Sequence, residues 1–104
     1  MNNAQQKVRD FNRMHGLDMV PHHRLLDMLS ELGEASKEYL THADYGRSDF
    51  TKGPEWRAEI GDLFYSLCAL ANETDVNLDR ALRESLTKYE DRIDRGNNPG
   101  SSAV

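Results

Sequence analysis

Three stretches of this chain carry apolar residues at alternating steps of three and four, and none alternates apolar with polar at every second position. Steps of three and four mark one face of an α-helix, whereas period two would mark a half-buried strand. The sets are Leu25, Met28, Leu29, Leu32, Ala35, Tyr39 and Leu40, then Trp56, Ile60, Leu63, Phe64, Leu67, Leu70 and Ala71, then Leu78, Leu82, Leu86, Tyr89 and Ile93. Pro21, Pro54 and Pro99 fall at segment boundaries, and residues 44–53 read as one glycine-bearing loop. The pattern predicts a helix over about residues 22–43 and a second starting at Pro54, a favoured first helical residue. A third is capped by Asn77, with Asp79 in its first turn, and stops at Gly96. A shorter helix is expected over about residues 4–14, with Val8 and Phe11 on its buried face. The expected fold is all-α, an antiparallel bundle of about four helices. It forms one domain over residues 1–95, followed by a disordered tail over 96–104.

The chain has 104 residues, enough for one domain but short for a self-sufficient core. Its amphipathic faces outnumber what one such bundle can cover, which predicts a homodimer or a dimer of dimers. The net charge of −5 argues against a nucleic-acid partner. The arginines and lysines after residue 78 are interleaved with acids and form no basic stripe. No run approaches the roughly 20 apolar residues of a membrane span. Residues 1–10 are polar, and Cys68 is the sole cysteine, read as a small buried apolar residue. The expected compartment is the cytoplasm. Acid is concentrated in residues 31–62, with eight acidic against four basic side chains.

That segment holds a repeated tetrapeptide. Glu31-Leu32-Gly33-Glu34 lies in the first long helix and Glu59-Ile60-Gly61-Asp62 in the next, 24 residues apart. Each pair places like charges at i,i+3, which costs an isolated helix a few tenths of a kcal/mol. Each encloses a glycine that costs about 1 kcal/mol relative to alanine in a helix interior. Breaking two local rules twice, in the same way, marks a place where something other than helix stability is selected. An antiparallel hairpin turning near Gly46 and Arg47 sets the two pairs level. Glu31, Glu34, Glu59 and Asp62 then converge at the edge of a helix–helix seam, where the glycines let the backbones approach. Converging carboxylates repel and raise one another's pKa unless a cation intervenes. An all-oxygen donor set favours Mg²⁺, with Mn²⁺ next.

Further along, Lys88 and Arg92 lie four apart on one helix face and can hold phosphate oxygens, the lysine as a point charge and the arginine as a fork. Their alternative is surface pairing with Glu84, Glu90 or Asp91. Trp56 is a candidate base contact or a core residue. The neighbours His22 and His23 point about 100° apart and chelate poorly. His15 and His42 have no evident partner.

The arrangement ExxE, spacer, ExxD resembles the MazG-like all-α nucleoside triphosphate pyrophosphohydrolases. The resemblance runs through Leu29-Ser30-Glu31-Leu32-Gly33-Glu34, Glu59-Ile60-Gly61-Asp62-Leu63-Phe64-Tyr65-Ser66-Leu67 and Leu70-Ala71-Asn72. It reaches Lys88-Tyr89-Glu90-Asp91-Arg92, similar to the family's late basic motif, and covers roughly residues 20–95. It implies that Glu31, Glu34, Glu59 and Asp62 hold Mg²⁺. It further implies hydrolysis of a nucleoside triphosphate between the α and β phosphates, with a pocket beside a subunit interface. The expected role is nucleotide-pool cleansing. Where family members often carry a further acid just before one or both motifs, this chain has Ser30 and Ala58. Where some follow the late lysine with asparagine, it has Tyr89. A phosphoribosyl-ATP pyrophosphohydrolase-like enzyme and a non-catalytic helical dimerisation module are the alternatives.

Overall fold

In the computed structural model the described residues are 3–96, and they are helical with no strand among them. Four helices follow in order: α1 (Asn3–His15), α2 (Pro21–His42), α3 (Trp56–Glu73) and α4 (Leu78–Asp94). The expected tail lies outside the described residues, apart from Gly96. Pro21, expected only as a boundary, is the first residue of α2, whereas Pro54, expected to open a helix, forms a turn with Glu55 and α3 begins at Trp56. Asn77 caps α4, its side-chain oxygen accepting from the Arg80 N–H at 3.2 Å. Gly96 ends it with φ +78, a conformation that costs glycine little.

The α2–α3 hairpin is antiparallel. Arg24 near the start of α2 pairs with Glu73 at the end of α3, Ser66 bonds Asp27, and His42 at the end of α2 lies against Gly53 just before α3. Between the helices, Ala43 accepts from Gly46 and Ser48 in a tight turn. There Asp44 and Tyr45 both take positive φ.

α1 runs along α3, but its buried residues are Gln5 and Asn12. Val8 is half-buried and Phe11 is 50% exposed, contrary to the expected apolar face. The reason is that α1 covers the backbone of the α3–α4 turn. Gln5 Nε2 donates to Val76 O at 2.6 Å, and Leu78 N donates to Gln5 Oε1 at 3.0 Å. Tyr65 Oη donates to Asn12 Oδ1 at 2.6 Å. Buried polar groups must be paired, so amides outcompete apolar side chains here, Gln5 on the backbone of the turn and Asn12 on the Tyr65 hydroxyl of α3.

The buried apolar residues are small: Ala35, Ala43, Cys68, Ala69 and Ala71. No residue of α4 is buried, and Leu82, Leu86 and Ile93 are each more than half exposed. Leu25, Leu26 and Leu29 on α2 are open too. The radius of gyration is 16.7 Å, against about 13 Å for a compact chain of this length. One chain therefore leaves its helices short of a closed bundle. No helix among the described residues is long and apolar enough to cross a membrane.

Candidate metal centre

Along α2 the polar residues Arg24, Asp27, Glu31, Glu34, Glu38 and His42 recur at steps of three and four. From Glu55, just before α3, Glu59, Asp62 and Ser66 follow at the same steps, and Glu73 lies seven residues, two turns, further on. These stripes form one flank of the seam. Ala35 and Ser66 are buried at its centre. At about 100° per residue, Glu31 lies about 40° and Glu38 about 60° from Ala35, while Glu34 lies about 100° away. Glu59 and Asp62 fall within about 40° of Ser66.

Glu31, Glu59 and Asp62 each place a carboxylate oxygen within 4.8 Å of the others. Glu34 does not join this group. Its position farther around α2 turns it outward, though its charge still reaches both glutamates. Three of the four expected carboxylates are thus assembled, from two helices. Desolvation at the seam, then the charges of Asp62, Asp27, Glu59 and Glu34, raise the Glu31 carboxyl above its ordinary value. Desolvation, then Asp62, Glu34 and Glu38, raise Glu59 likewise. Most donor oxygens of one octahedral Mg²⁺ at about 2.1 Å lie about 3 Å apart, so the three side chains would have to draw together to share a hard cation. Asp62 is exposed and the glutamates half-buried, which leaves the centre open to solvent and ligand.

The glycines do not act as expected. A Cβ built on Gly33 or Gly61 would meet nothing within 4 Å. They sit about 160° and 140° from the seam centres, on the outer helix surfaces, so neither lets α2 and α3 approach. The glycine that does permit close approach is Gly53, whose Cβ would fall 2.5 Å from His42 Nε2.

Trp56 lies on the opposite flank of the seam from the carboxylates. Its ring meets Phe50 at 5.2 Å and Tyr39 at 6.0 Å between centroids, and Tyr39 stacks on Phe50 at 4.4 Å. With Leu32, Tyr39, Ile60 and Leu63 it lines an apolar cleft of about 420 Å³ that includes no carboxylate. Lys88 and Arg92 lie on α4, away from the seam, and the Lys88 ammonium sits 5.2 Å from the Tyr89 ring centroid. Cys68 is fully buried, and desolvation raises its thiol, in keeping with a packing role.

Sequence reasoning missed the partner of His42. Its Nδ1 lies 3.1 Å from Glu38 Oε1, with Glu55 close by. The i,i+4 spacing of Glu38 and His42 was the available signal. It also missed the two basic side chains that α1 and α2 commit to the end of α3. Arg24 pairs with Glu73, and Arg9 Nη2 donates to Asn72 Oδ1 at 3.3 Å. Comparison with known protein families, characterised proteins and solved structures finds no match.

Proposed function

We propose that the chain is a Mg²⁺-dependent nucleotide pyrophosphohydrolase. It would cleave a nucleoside triphosphate between the α and β phosphates to give a nucleoside monophosphate and pyrophosphate. The observation that carries this reading is the meeting of Glu31, Glu59 and Asp62, from two helices, within 4.8 Å at a solvent-open edge. The likeness of the two tetrapeptides to the MazG-like pattern supports it. Bound Mg²⁺ would supply charge neutralisation and polarisation of the phosphate oxygens. Glu31, Glu59 and Asp62 would hold the ion, and a carboxylate oxygen of this set left off it would take the proton of an attacking water. The water oxygen bonds to the α-phosphorus, the bond to the bridging oxygen breaks, and pyrophosphate leaves. Glu34 adds negative charge beside the trio and is the fourth carboxylate of the set. Lys88 and Arg92, on α4 and away from the trio within one chain, are the proposed phosphate partners if a second copy brings α4 to the site.

A second copy of the chain belongs to this reading. The open leucines of α2 and α4, together with the apolar groove between Phe64, Leu67, Leu78 and Leu82, are faces that a homodimer or homotetramer would cover. Trp56, on the apolar flank, fits packing better than base recognition within one chain. Sedimentation should give a species larger than 11.9 kDa at micromolar concentration. A monomer alone would count against the assembly.

The deciding experiment is pyrophosphate release from a panel of canonical, modified and phosphoribosyl nucleotides, with and without Mg²⁺. Release that needs Mg²⁺ supports the reading, and the preferred nucleotide separates pool cleansing from phosphoribosyl-ATP hydrolysis. A folded protein that releases none would favour a helical dimerisation module.

A further inference from the structure

Asp27 stands one turn before Glu31 on α2, and Ser66 one turn after Asp62 on α3. Because the helices are antiparallel, the two meet at the next level of the seam, where Ser66 Oγ donates to Asp27 Oδ2 at 3.3 Å. The serine is buried at the centre of the seam. Arg24 Nη1 approaches the same Oδ2 only to 3.6 Å, beyond hydrogen-bond range. Arg24 does not need this second acid. Its Nε donates to both carboxylate oxygens of Glu73, at 3.2 Å and 3.3 Å, and its Nη2 donates to one of them at 3.0 Å. Asp27 is therefore a surplus carboxylate, held by one oxygen beside the trio. Its Oδ1 accepts no hydrogen bond from the described residues, and its side chain is 43% exposed.

Four residues of helix rise about 6 Å. That places Asp27 outside the inner coordination of an ion held by Glu31, Glu59 and Asp62, since Mg²⁺ donors stand at about 2.1 Å. A group that accepts from a metal-bound water lies about 4–5 Å from the metal, which is much closer to one turn of the seam. Mg²⁺ gives up its waters reluctantly and keeps several of them, so such acceptors help to fix the ion. The charge of Asp27 is already felt at Glu31. We propose that Asp27 is a positioning residue of the candidate metal centre: Oδ1 accepts from a water on the ion, while Ser66 holds Oδ2 and keeps the carboxylate at this level. The inference rests on the Mg²⁺ reading of the trio and extends it to a residue outside both tetrapeptides.

The test is Mn²⁺ binding to the full chain, read from the electron paramagnetic resonance signal of the free ion, with metal-free melting measured on the same proteins. Asp27→Asn keeps the volume and an acceptor for Ser66 but removes the charge. It should weaken Mn²⁺ binding about tenfold. Its metal-free melting should be unchanged, because Glu73 still pairs with Arg24. Ser66→Ala keeps every charge and frees the carboxylate, and should weaken binding by a smaller factor. Glu59→Gln, which removes a ligand itself, should weaken it more than either. Unchanged affinity in Asp27→Asn, whatever its melting, would leave Asp27 a neighbour of Arg24 and overturn the proposal while sparing the trio. Weakened binding in Asp27→Asn with wild-type affinity in Ser66→Ala would reveal only a charge acting at a distance, and would overturn it too. A wild-type chain that binds no Mn²⁺ would remove the metal centre itself, and this role with it.

Discussion

Arg24 Nη2 lies 3.0 Å from Glu73 Oε2, joining the first turns of α2 to the last turn of α3 with side-chain exposures of only 2% and 7%. The same guanidinium donates to Leu17 O at 3.1 Å, and Glu73 Oε2 accepts from Met19 N at 3.2 Å, so the pair also holds the α1–α2 connection. Burial works against the Arg24 charge, but the hydrogen bond and the charge of Glu73 outweigh it and raise the pKa. This contact sets the register of the hairpin, and with it which residues of the two tetrapeptides face each other.

Removing one partner should therefore cost far more than a surface ion pair would. Glu73→Ala strands a buried guanidinium and is expected to destabilise the chain by about 3–5 kcal/mol. The double replacement Arg24→Met with Glu73→Leu should recover most of that loss. Urea denaturation of the three proteins measures both values, and a single-variant cost near zero would contradict the burial.

Glu59→Gln removes one carboxylate of the assembled trio without changing its volume. Turnover should fall about a hundredfold or more, while the fold survives. Because Glu59 is held above its ordinary pKa by desolvation and by Asp62, Glu34 and Glu38, losing its charge should not lower metal-free melting. Pyrophosphate release and melting on the same purified protein check both halves. Near wild-type turnover would remove Glu59 from the mechanism.

Glu31 and Glu59 hold their protons more tightly folded than unfolded, so the sign of their pH effect is set. Their favourable contribution is full below the ordinary carboxyl value of 4.5 and is lost as pH rises through the raised folded values. The metal-free chain should thus lose more stability over that rise than Glu31→Gln/Glu59→Gln does. Millimolar Mg²⁺ should shrink the difference, since a cation offsets the repulsion. Melting temperatures of both proteins across the acidic range, with and without Mg²⁺, provide the comparison.

Gly33→Ala and Gly61→Ala place a methyl group in open space on exposed helix surface. In a single chain each should raise stability by about 0.5–1 kcal/mol, chiefly through backbone entropy. A substitution that instead lowers melting and dissociates an oligomer would show that this surface is covered by a second copy. Thermal denaturation paired with sedimentation distinguishes the two results.

Helical periodicity, proline and glycine punctuation and the Asn77 cap were legible along the chain, because each depends on residues within a few positions of one another. So was the leveling of Glu31 with Glu59 and Asp62, since an antiparallel turn near the midpoint of the two tetrapeptides places them side by side, while the Arg24–Glu73 pair fixes the register. What one chain cannot specify locally is how each helix rotates about its axis and what covers its ends. A rotation of about 60° separates Glu31, which faces the seam, from Glu34, which does not. The α3–α4 turn needed a donor and an acceptor for its backbone, which buried Gln5, and the Tyr65 hydroxyl of α3 needed an acceptor, which buried Asn12 in place of Phe11. Gly33 and Gly61 turned outward for the same rotational reason, while Gly53, outside either motif, met His42. Sequence spacing set which side chains share a face. Only tertiary packing, through rotation, register and the pairing of buried polar groups, decided which of those faces met.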